Sequence, residues 1–208
     1  MMNNRNWTTV SYLLHPLFMP TLGTFIVMWN DPRIYLSLNS LAPWVVVLAT
    51  VFICTALLPL LFSWTLFKLG RVKSLKNPDE QDRRILMMFA ELGFLLTYIT
   101  FHKIPELGHS LSLFMLGINM AIVATFILNF FQKTSFHATG TGGILGTAIG
   151  LMYYTRISMW PWVTAAMILC CLAGYARYRL KAHNTFEIYL GFIVGMVSLF
   201  AVFFFGAK

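Results

Sequence analysis

Seven long apolar runs divide this chain, and they constrain its fold more than any other feature. They cover residues 11–29, 43–67, 85–101, 110–131, 139–156, 159–176 and 187–206. Each run approaches the roughly 20 residues that a helix needs to cross the hydrocarbon core of a bilayer, where open sheet edges and irregular backbone are not tolerated. The pattern predicts an all-α protein, a polytopic transmembrane helix bundle of six to seven spans.

The overall composition supports such a bundle and excludes an ordinary soluble domain. Of the 208 residues, 58% are hydrophobic and only 11% are charged, far from the balance of soluble proteins. We expect residues 1–208 to form one integral membrane domain, because only short connections separate the runs. The first run contains Pro16 and Pro20, so six spans after a broken or interfacial N-terminal segment are the alternative to seven. No small-residue cleavage site follows that run, so we expect a retained span and no signal peptide.

The alternation of spans sorts the polar connections onto two membrane faces. With seven spans, one face receives the N-terminus and the connections at 68–84, 132–139 and 177–187. The last three share that face even if the first run does not cross the membrane. The sequence therefore predicts that these three connections meet.

These connections carry side chains suited to chemistry at a phosphate group. They supply Lys76 and Arg83 from the first, Ser135 and His137 from the second, and Arg177, His183 and Glu187 from the third. In a helix that begins near Thr185, the Glu187 carboxylate lies beside His183, where it can orient the imidazole and raise its nucleophilicity. Guanidinium and ammonium groups suit the oxygens of a phosphoryl group in transfer. The pattern indicates phosphoryl chemistry at a membrane surface.

In order and spacing, these residues resemble the type 2 phosphatidic acid phosphatase superfamily, which includes lipid phosphatases and vanadium haloperoxidases. The family pattern is Lys, six residues and Arg-Pro, then Pro-Ser-Gly-His, then Ser-Arg, five residues, His, three residues and Asp. Here Lys76 and Arg83 keep the first spacing, and Ser135 and His137 keep the Ser-x-His of the second. Arg177, His183 and Glu187 keep both spacings of the third. The resemblance covers about residues 76–190.

The resemblance implies a membrane phosphatase that needs no metal and no other cofactor. It makes His183 the nucleophile that forms a phosphohistidine, Glu187 its orienting carboxylate and His137 the general acid on the leaving oxygen. Lys76, Arg83, Ser135 and Arg177 would bind the phosphate. The implied substrate is a lipid phosphate, a monoester or a diphosphate, whose tails stay in the bilayer.

The chain also departs from the family pattern. Arg84 replaces a proline, Thr134 and Phe136 replace the residues around Ser135, Ala176 replaces a serine, and Glu187 replaces an aspartate. Glycine lets a backbone approach a phosphate more closely than phenylalanine does. The alternative function is therefore a catalytically silent membrane protein that binds or moves anionic lipids.

Other charged and glycine-rich features receive different interpretations. The glycines of "GTGGILGTAIG" and the pair Gly191 and Gly195 recur every four residues, which predicts close helix contact and no phosphate loop. Glu91 lies within an apolar run, and two interpretations stay open. It is either a functional-site candidate, or a carboxyl that is protonated or paired with a neighbouring helix. We expect membrane lipids as partners and no nucleic acid, because the cations flank spans.

The distribution of cations bears on localisation. We expect a multi-pass protein of a bacterial inner membrane. Four of the 15 Lys and Arg residues, Arg33, Lys103, Arg156 and Lys208, lie on the face opposite the site. The other eleven lie on the site face. Because connections rich in Lys and Arg tend to stay in the cytoplasm, this excess favours a site that faces the cytoplasm. Bacterial members of the family commonly work from the periplasmic side, so both orientations stay open.

Overall fold

The computed structural model describes residues 4–38, 40–75 and 79–207, and within these ranges the chain forms helices and no strands. The helices are α1 (Asn4–Leu13), α2 (Met19–Asn30), α3 (Pro32–Ser37), α4 (Leu41–Phe52), α5 (Leu58–Lys68), α6 (Glu80–His102), α7 (Gly108–Leu128), α8 (Phe136–Thr155), α9 (Trp160–Arg179) and α10 (Thr185–Gly206). Short 3₁₀ turns lie at Pro16–Phe18 and Pro105–Leu107, and a π turn lies at Ile53–Leu57. The all-α fold class predicted from the sequence is confirmed.

Five stretches in the described part of the chain are long and apolar enough to cross a membrane. They are Arg5–Asn30, Leu41–Lys68, Glu80–His102, Pro105–Leu128 and Thr185–Gly206. The fifth and sixth runs predicted from the sequence form α8 and α9, each of 20 residues. Neither helix is among the five stretches. Glycine and threonine lower the mean hydropathy of α8, and two arginines in its last turn lower that of α9. Both nevertheless lie beside α10 in the bundle.

The centre of the bundle is the contact between α8 and α10, and it depends on glycine. A Cβ atom at Gly142 would lie 2.5 Å from the carbonyl oxygen of Phe192, and one at Gly146 would collide with the carbonyl of Met196. Gly195 meets the Thr139 carbonyl in the same way from α10. Because residue numbers rise together along the contact, α8 and α10 run parallel. α9 connects them in the opposite direction and packs mainly on α8. The prediction of close helix contact at these glycines is confirmed.

Parallel α8 and α10 place their N-terminal ends at the same end of the bundle. The amide of Ser135, just before α8, donates to the carbonyl oxygen of Glu187 in the first turn of α10 at 3.1 Å. The C-terminal end of α9 lies there too, because α9 runs in the opposite direction. We call this the site end of the bundle.

The first apolar run is interrupted, as its prolines suggested. Pro16 has no amide hydrogen, so regular α-helical bonding cannot continue, and α1 ends at Leu13. The chain resumes through the 3₁₀ turn into α2, which packs against α4, α7 and α8. α1 instead lies on α9, where the rings of Trp7 and Tyr175 meet edge to face at 4.9 Å.

The second span contains the π turn, which lies immediately before Pro59. The ring of a proline inside an α-helix clashes with the carbonyl four residues earlier, and a wider turn relieves that clash. α6 approaches this turn closely, because a Cβ atom at Gly93 would collide with the carbonyl oxygen of Cys54. α4, the π turn and α5 thus form one continuous helical stretch, Leu41–Lys68.

Candidate active site

The connection between α9 and α10 builds a histidine–carboxylate pair. Asn184 is the N-cap of α10, and its side-chain oxygen accepts from the amide of Glu187 at 2.8 Å. Its side-chain nitrogen donates to one Glu187 carboxylate oxygen at 3.2 Å. The other carboxylate oxygen lies 2.6 Å from Nδ1 of His183. Glu187 is therefore held on both oxygens and fixes the orientation of the imidazole.

The surroundings favour a neutral ring at His183, whose side chain is only 7% exposed. Burial lowers the pKa of this imidazole, and the positive charges of Arg177, Lys133 and Arg83 lower it further. The neutral tautomer that fits the pair carries its hydrogen on Nδ1 and donates it to Glu187. Nε2 then keeps a free lone pair, which is the form that a nucleophilic histidine needs.

Ser135 joins the start of α8 to this pair through its backbone. Its amide donates to the Glu187 carbonyl, while its side chain is completely buried. The Ser135 hydroxyl has no hydrogen-bond partner within the described part of the chain. A buried hydroxyl without a partner is costly, so the structure leaves a polar group here to be satisfied by a ligand or water.

Arg83 connects the first turn of α6 to the segment before α8. Its Nη2 donates to the side-chain oxygen of Asn129 at 3.1 Å and to the backbone oxygen of Thr134 at 2.9 Å. Its guanidinium lies 4.8 Å from the centre of the Phe136 ring. Phe136, which stands where the family has glycine, thus supports a predicted phosphate-binding cation through a cation–π contact.

His137 and Arg177 meet on a residue of α1. Nη1 of Arg177 donates to the Ser11 hydroxyl at 3.1 Å, and that hydroxyl lies 3.2 Å from Nε2 of His137. The same Nε2 also lies 3.0 Å from the Ser11 backbone oxygen. The His15 ring lies 5.5 Å from the His137 ring. Nε of Arg177 is buried and has no partner among the described residues.

A small cavity lies beside Arg83 at the site end. It measures about 60 Å³ and is lined by Glu80, Arg83, Asn129, Phe130, Phe131, Gln132 and Lys133. A water molecule needs about 10–15 Å³ by this kind of measure, so the cavity has room for a few waters or a small anion. Arg83 and Lys133 bring positive charge to its lining, and Glu80 brings one negative charge.

The structure brings six predicted site residues to one end of the bundle: Arg83, Ser135, His137, Arg177, His183 and Glu187. These contacts form two groups. In the first, Ser135 and His183 bond to Glu187, and Arg83 bonds to Thr134. In the second, Arg177 and His137 both contact Ser11. Lys76 lies outside the described residues. Within the described ranges, no three His, Cys, Asp or Glu side chains converge as metal ligands.

Sequence reasoning missed the contribution of α1 and of the segment before α8. Ser11 and His15 precede the motif-bearing region, and no spacing rule links them to His137. Asn129 and Lys133 likewise reach the other site residues only because the chain folds. Asn184 could have been found, because Asn followed three residues later by Glu is a helix-capping pattern.

A scan of protein-family models, a search of curated proteins and a search of solved structures each return no match to this chain.

Proposed function

We propose that this protein is a membrane-embedded lipid phosphate phosphatase that works through a phosphohistidine at His183. The observation that carries the proposal is the 2.6 Å contact between Nδ1 of His183 and the Glu187 carboxylate. That contact leaves Nε2 free in a cationic environment, which suits attack on an anionic phosphoryl group.

In the first step, Nε2 of His183 attacks phosphorus, and the bond from phosphorus to the lipid oxygen breaks as the phosphorus–nitrogen bond forms. The imidazole becomes cationic, and the Glu187 carboxylate stabilises it through Nδ1. Arg177 and Arg83 balance the charge on the phosphoryl oxygens. His137 acts here as an imidazolium: it gives the proton on Nε2 to the departing lipid oxygen, which leaves as an alcohol, and becomes a neutral ring. Burial and the charge of Arg177 lower the pKa of His137 in the free protein, so it takes up this proton together with the phosphate dianion, whose charge favours the imidazolium.

In the second step, a water molecule attacks the same phosphorus. His137, now lacking the proton, accepts one from this water, and the phosphorus–nitrogen bond breaks. Inorganic phosphate is released, His183 returns to its neutral form, and His137 is protonated for the next turnover. Dividing the reaction in this way replaces one very slow hydrolysis with two easier displacements.

The surface around the site end supports a lipid as the source of the phosphate. Large apolar or amphipathic side chains are exposed there, including Phe131 at 84%, Phe186 at 61% and Tyr178 at 57%. An amphipathic ring such as that of Tyr178 prefers the headgroup depth of a bilayer, and exposed phenylalanine rings suit the adjoining hydrocarbon. Phosphatidate, phosphatidylglycerol phosphate, polyprenyl diphosphate and lipid A phosphates all present the same reacting group.

The test is release of phosphate from a panel of these lipids by the purified protein. We expect His183→Ala to lower the rate at least ~1000-fold, because groups that act as one catalytic unit fail together. His102→Ala is the matched control, since His102 is exposed at the opposite end of α6, and it should keep parent activity. Orthovanadate should inhibit the parent, and EDTA should not. Equal turnover by the parent and His183→Ala would contradict the mechanism.

A catalytically silent protein that binds anionic lipids is the second candidate. It is favoured by one observation: the site is engaged with the protein itself, with Arg83 on Asn129 and His137 on Ser11. Absence of phosphate release across the whole panel, together with retention of anionic lipids by the purified protein, would favour this function.

A further inference from the structure

The last turn of α1 fills the space between the two groups that the proposed mechanism assigns to the phosphoryl group and the leaving oxygen. The Ser11 hydroxyl accepts from Arg177 and touches Nε2 of His137, so it lies where a phosphoryl oxygen would contact both. Ser11 is 6% exposed. With this residue in place, Nη1 of Arg177 and Nε2 of His137 are both engaged by Ser11.

The break at Pro16 explains why Ser11 is available for this role. In an uninterrupted helix, the amide of His15 would bond to the Ser11 carbonyl, four residues earlier. Here the His15 amide donates instead to the carbonyl of Tyr12 at 3.2 Å. The Ser11 carbonyl is therefore free of its usual partner and lies 3.0 Å from Nε2 of His137.

Both contacts hold His137 in a resting arrangement. The ring nitrogen of His137 that reaches the Ser11 carbonyl is Nε2, and a carbonyl oxygen can only accept, so Nε2 carries the hydrogen and donates it to α1. That hydrogen is the one which the proposed mechanism gives to the leaving oxygen. His137 cannot protonate a substrate while it is bonded to Ser11.

We propose that the last turn of α1 is an internal competitor of the phosphoryl group, and that a substrate must displace Ser11 from Arg177 and His137. This inference rests on the proposed function for the identity of the ligand. A phosphoryl group can take over the position because an anionic acceptor bonds a guanidinium about twice as strongly as a neutral hydroxyl does. α1 can yield because it joins α2 through an interrupted turn.

The test compares the affinity of parent and variants for inorganic phosphate and orthovanadate, measured by calorimetry on the detergent-solubilised full chain. We expect Ser11→Ala to bind both anions about 3- to 10-fold more tightly, since one competing hydrogen bond is lost. Thr9→Ala is the matched control, because the exposed Thr9 hydroxyl donates within α1 to the carbonyl of Arg5. It should bind like the parent. In the parent, amide hydrogen exchange around residues 11–15 should speed up when vanadate is added.

Several outcomes separate this proposal from the proposed function. Tighter anion binding by Ser11→Ala without any lipid hydrolysis would support the displacement and contradict catalysis. If the parent hydrolyses lipid phosphates but Ser11→Ala binds the anions no more tightly than the parent, the displacement alone is contradicted. Weaker binding by Ser11→Ala would show that Ser11 is instead a ligand of the phosphate. No anion binding by the parent and Ser11→Ala would contradict both. Trp7→Ala, which loosens α1 from Tyr175, should shift affinity in the same direction as Ser11→Ala.

Discussion

His183 links the chemistry of the site to the stability of the protein. Its pKa is lower in the folded chain than in the unfolded chain, where it is near the ordinary value of about 6.5. Below that pH the unfolded state binds more protons than the folded state, so acid favours unfolding. The stabilisation due to a neutral His183 is present above about pH 6.5 and is lost as the pH falls below it.

We therefore expect the unfolding free energy of the parent to fall by up to about 1.4 kcal/mol per pH unit below pH 6.5 from this residue alone. His183→Asn should reduce that slope. Denaturant unfolding in detergent between pH 4 and 8 measures the slope of the unfolding free energy against pH. Identical slopes for the parent and His183→Asn would show that His183 is already protonated in the folded state.

At the residue scale, the spacing of four residues predicted the contact between His183 and Glu187. His183 lies just before the N-cap Asn184 and not within α10, so the capping turn brings the two side chains together. The partners of Arg83 and His137 could not be predicted in this way. Asn129 and Ser11 lie 46 and 126 residues away from them in the chain, and only the folded bundle decides which polar groups meet over such separations.

At the scale of the elements, the glycines of α8 and α10 set the distance between the start of α8, with Ser135 and His137, and the start of α10, with Glu187. Gly195 lies against the carbonyl of Thr139, with no room for a methyl group. A Cβ atom at Gly143 would lie 3.4 Å from a methyl carbon of Leu199, which is an ordinary contact. The same substitution should therefore have opposite effects at these two positions.

We expect Gly195→Ala to destabilise the bundle by about 1–3 kcal/mol and to lower phosphatase activity, because α10 must move away from α8. Gly143→Ala should be neutral or stabilising, since alanine favours a helix by up to about 1 kcal/mol over glycine. Thermal unfolding and the lipid assay measure both effects. Equal destabilisation by the two variants would contradict this account of the helix contact.

The positions of the elements were largely predictable from hydropathy, because each run of apolar residues has to lie in a bilayer or a core. The ends of α1 were not. The first run begins at residue 11, whereas the structure breaks it after Leu13 and turns the preceding residues onto α9. A proline marks such a break, but the direction in which the chain leaves it depends on contacts such as that of Trp7 with Tyr175.

At the scale of the whole molecule, the distribution of charge bears on its direction in the membrane. The excess of cations favours a site end that faces the cytoplasm. Ser74, between α5 and α6, lies in a connection at the site end, and Ser158, between α8 and α9, lies at the opposite end. Cysteines at these two positions would report the two faces separately.

We expect a membrane-impermeant thiol reagent to label Ser158→Cys in intact cells and to label Ser74→Cys only after permeabilisation. The parent, whose three cysteines are Cys54, Cys170 and Cys171, gives the background. Selective labelling of Ser74→Cys in intact cells would reverse the orientation and place the site on the outer side of that membrane.

The π turn at Ile53–Leu57 has a consequence for how the length of this chain can vary. A single π turn contains one residue more than the α-helical turn that would join the same two ends, as if one residue had been inserted. Deleting a residue there would leave the side chains of α4 and α5 pointing in their present directions. Deleting one elsewhere in α5 would rotate all later side chains of the helix by about 100°. The second crossing can therefore lose a residue at this turn without a change of register, and the ring of Pro59 would then meet the carbonyl of a regular turn.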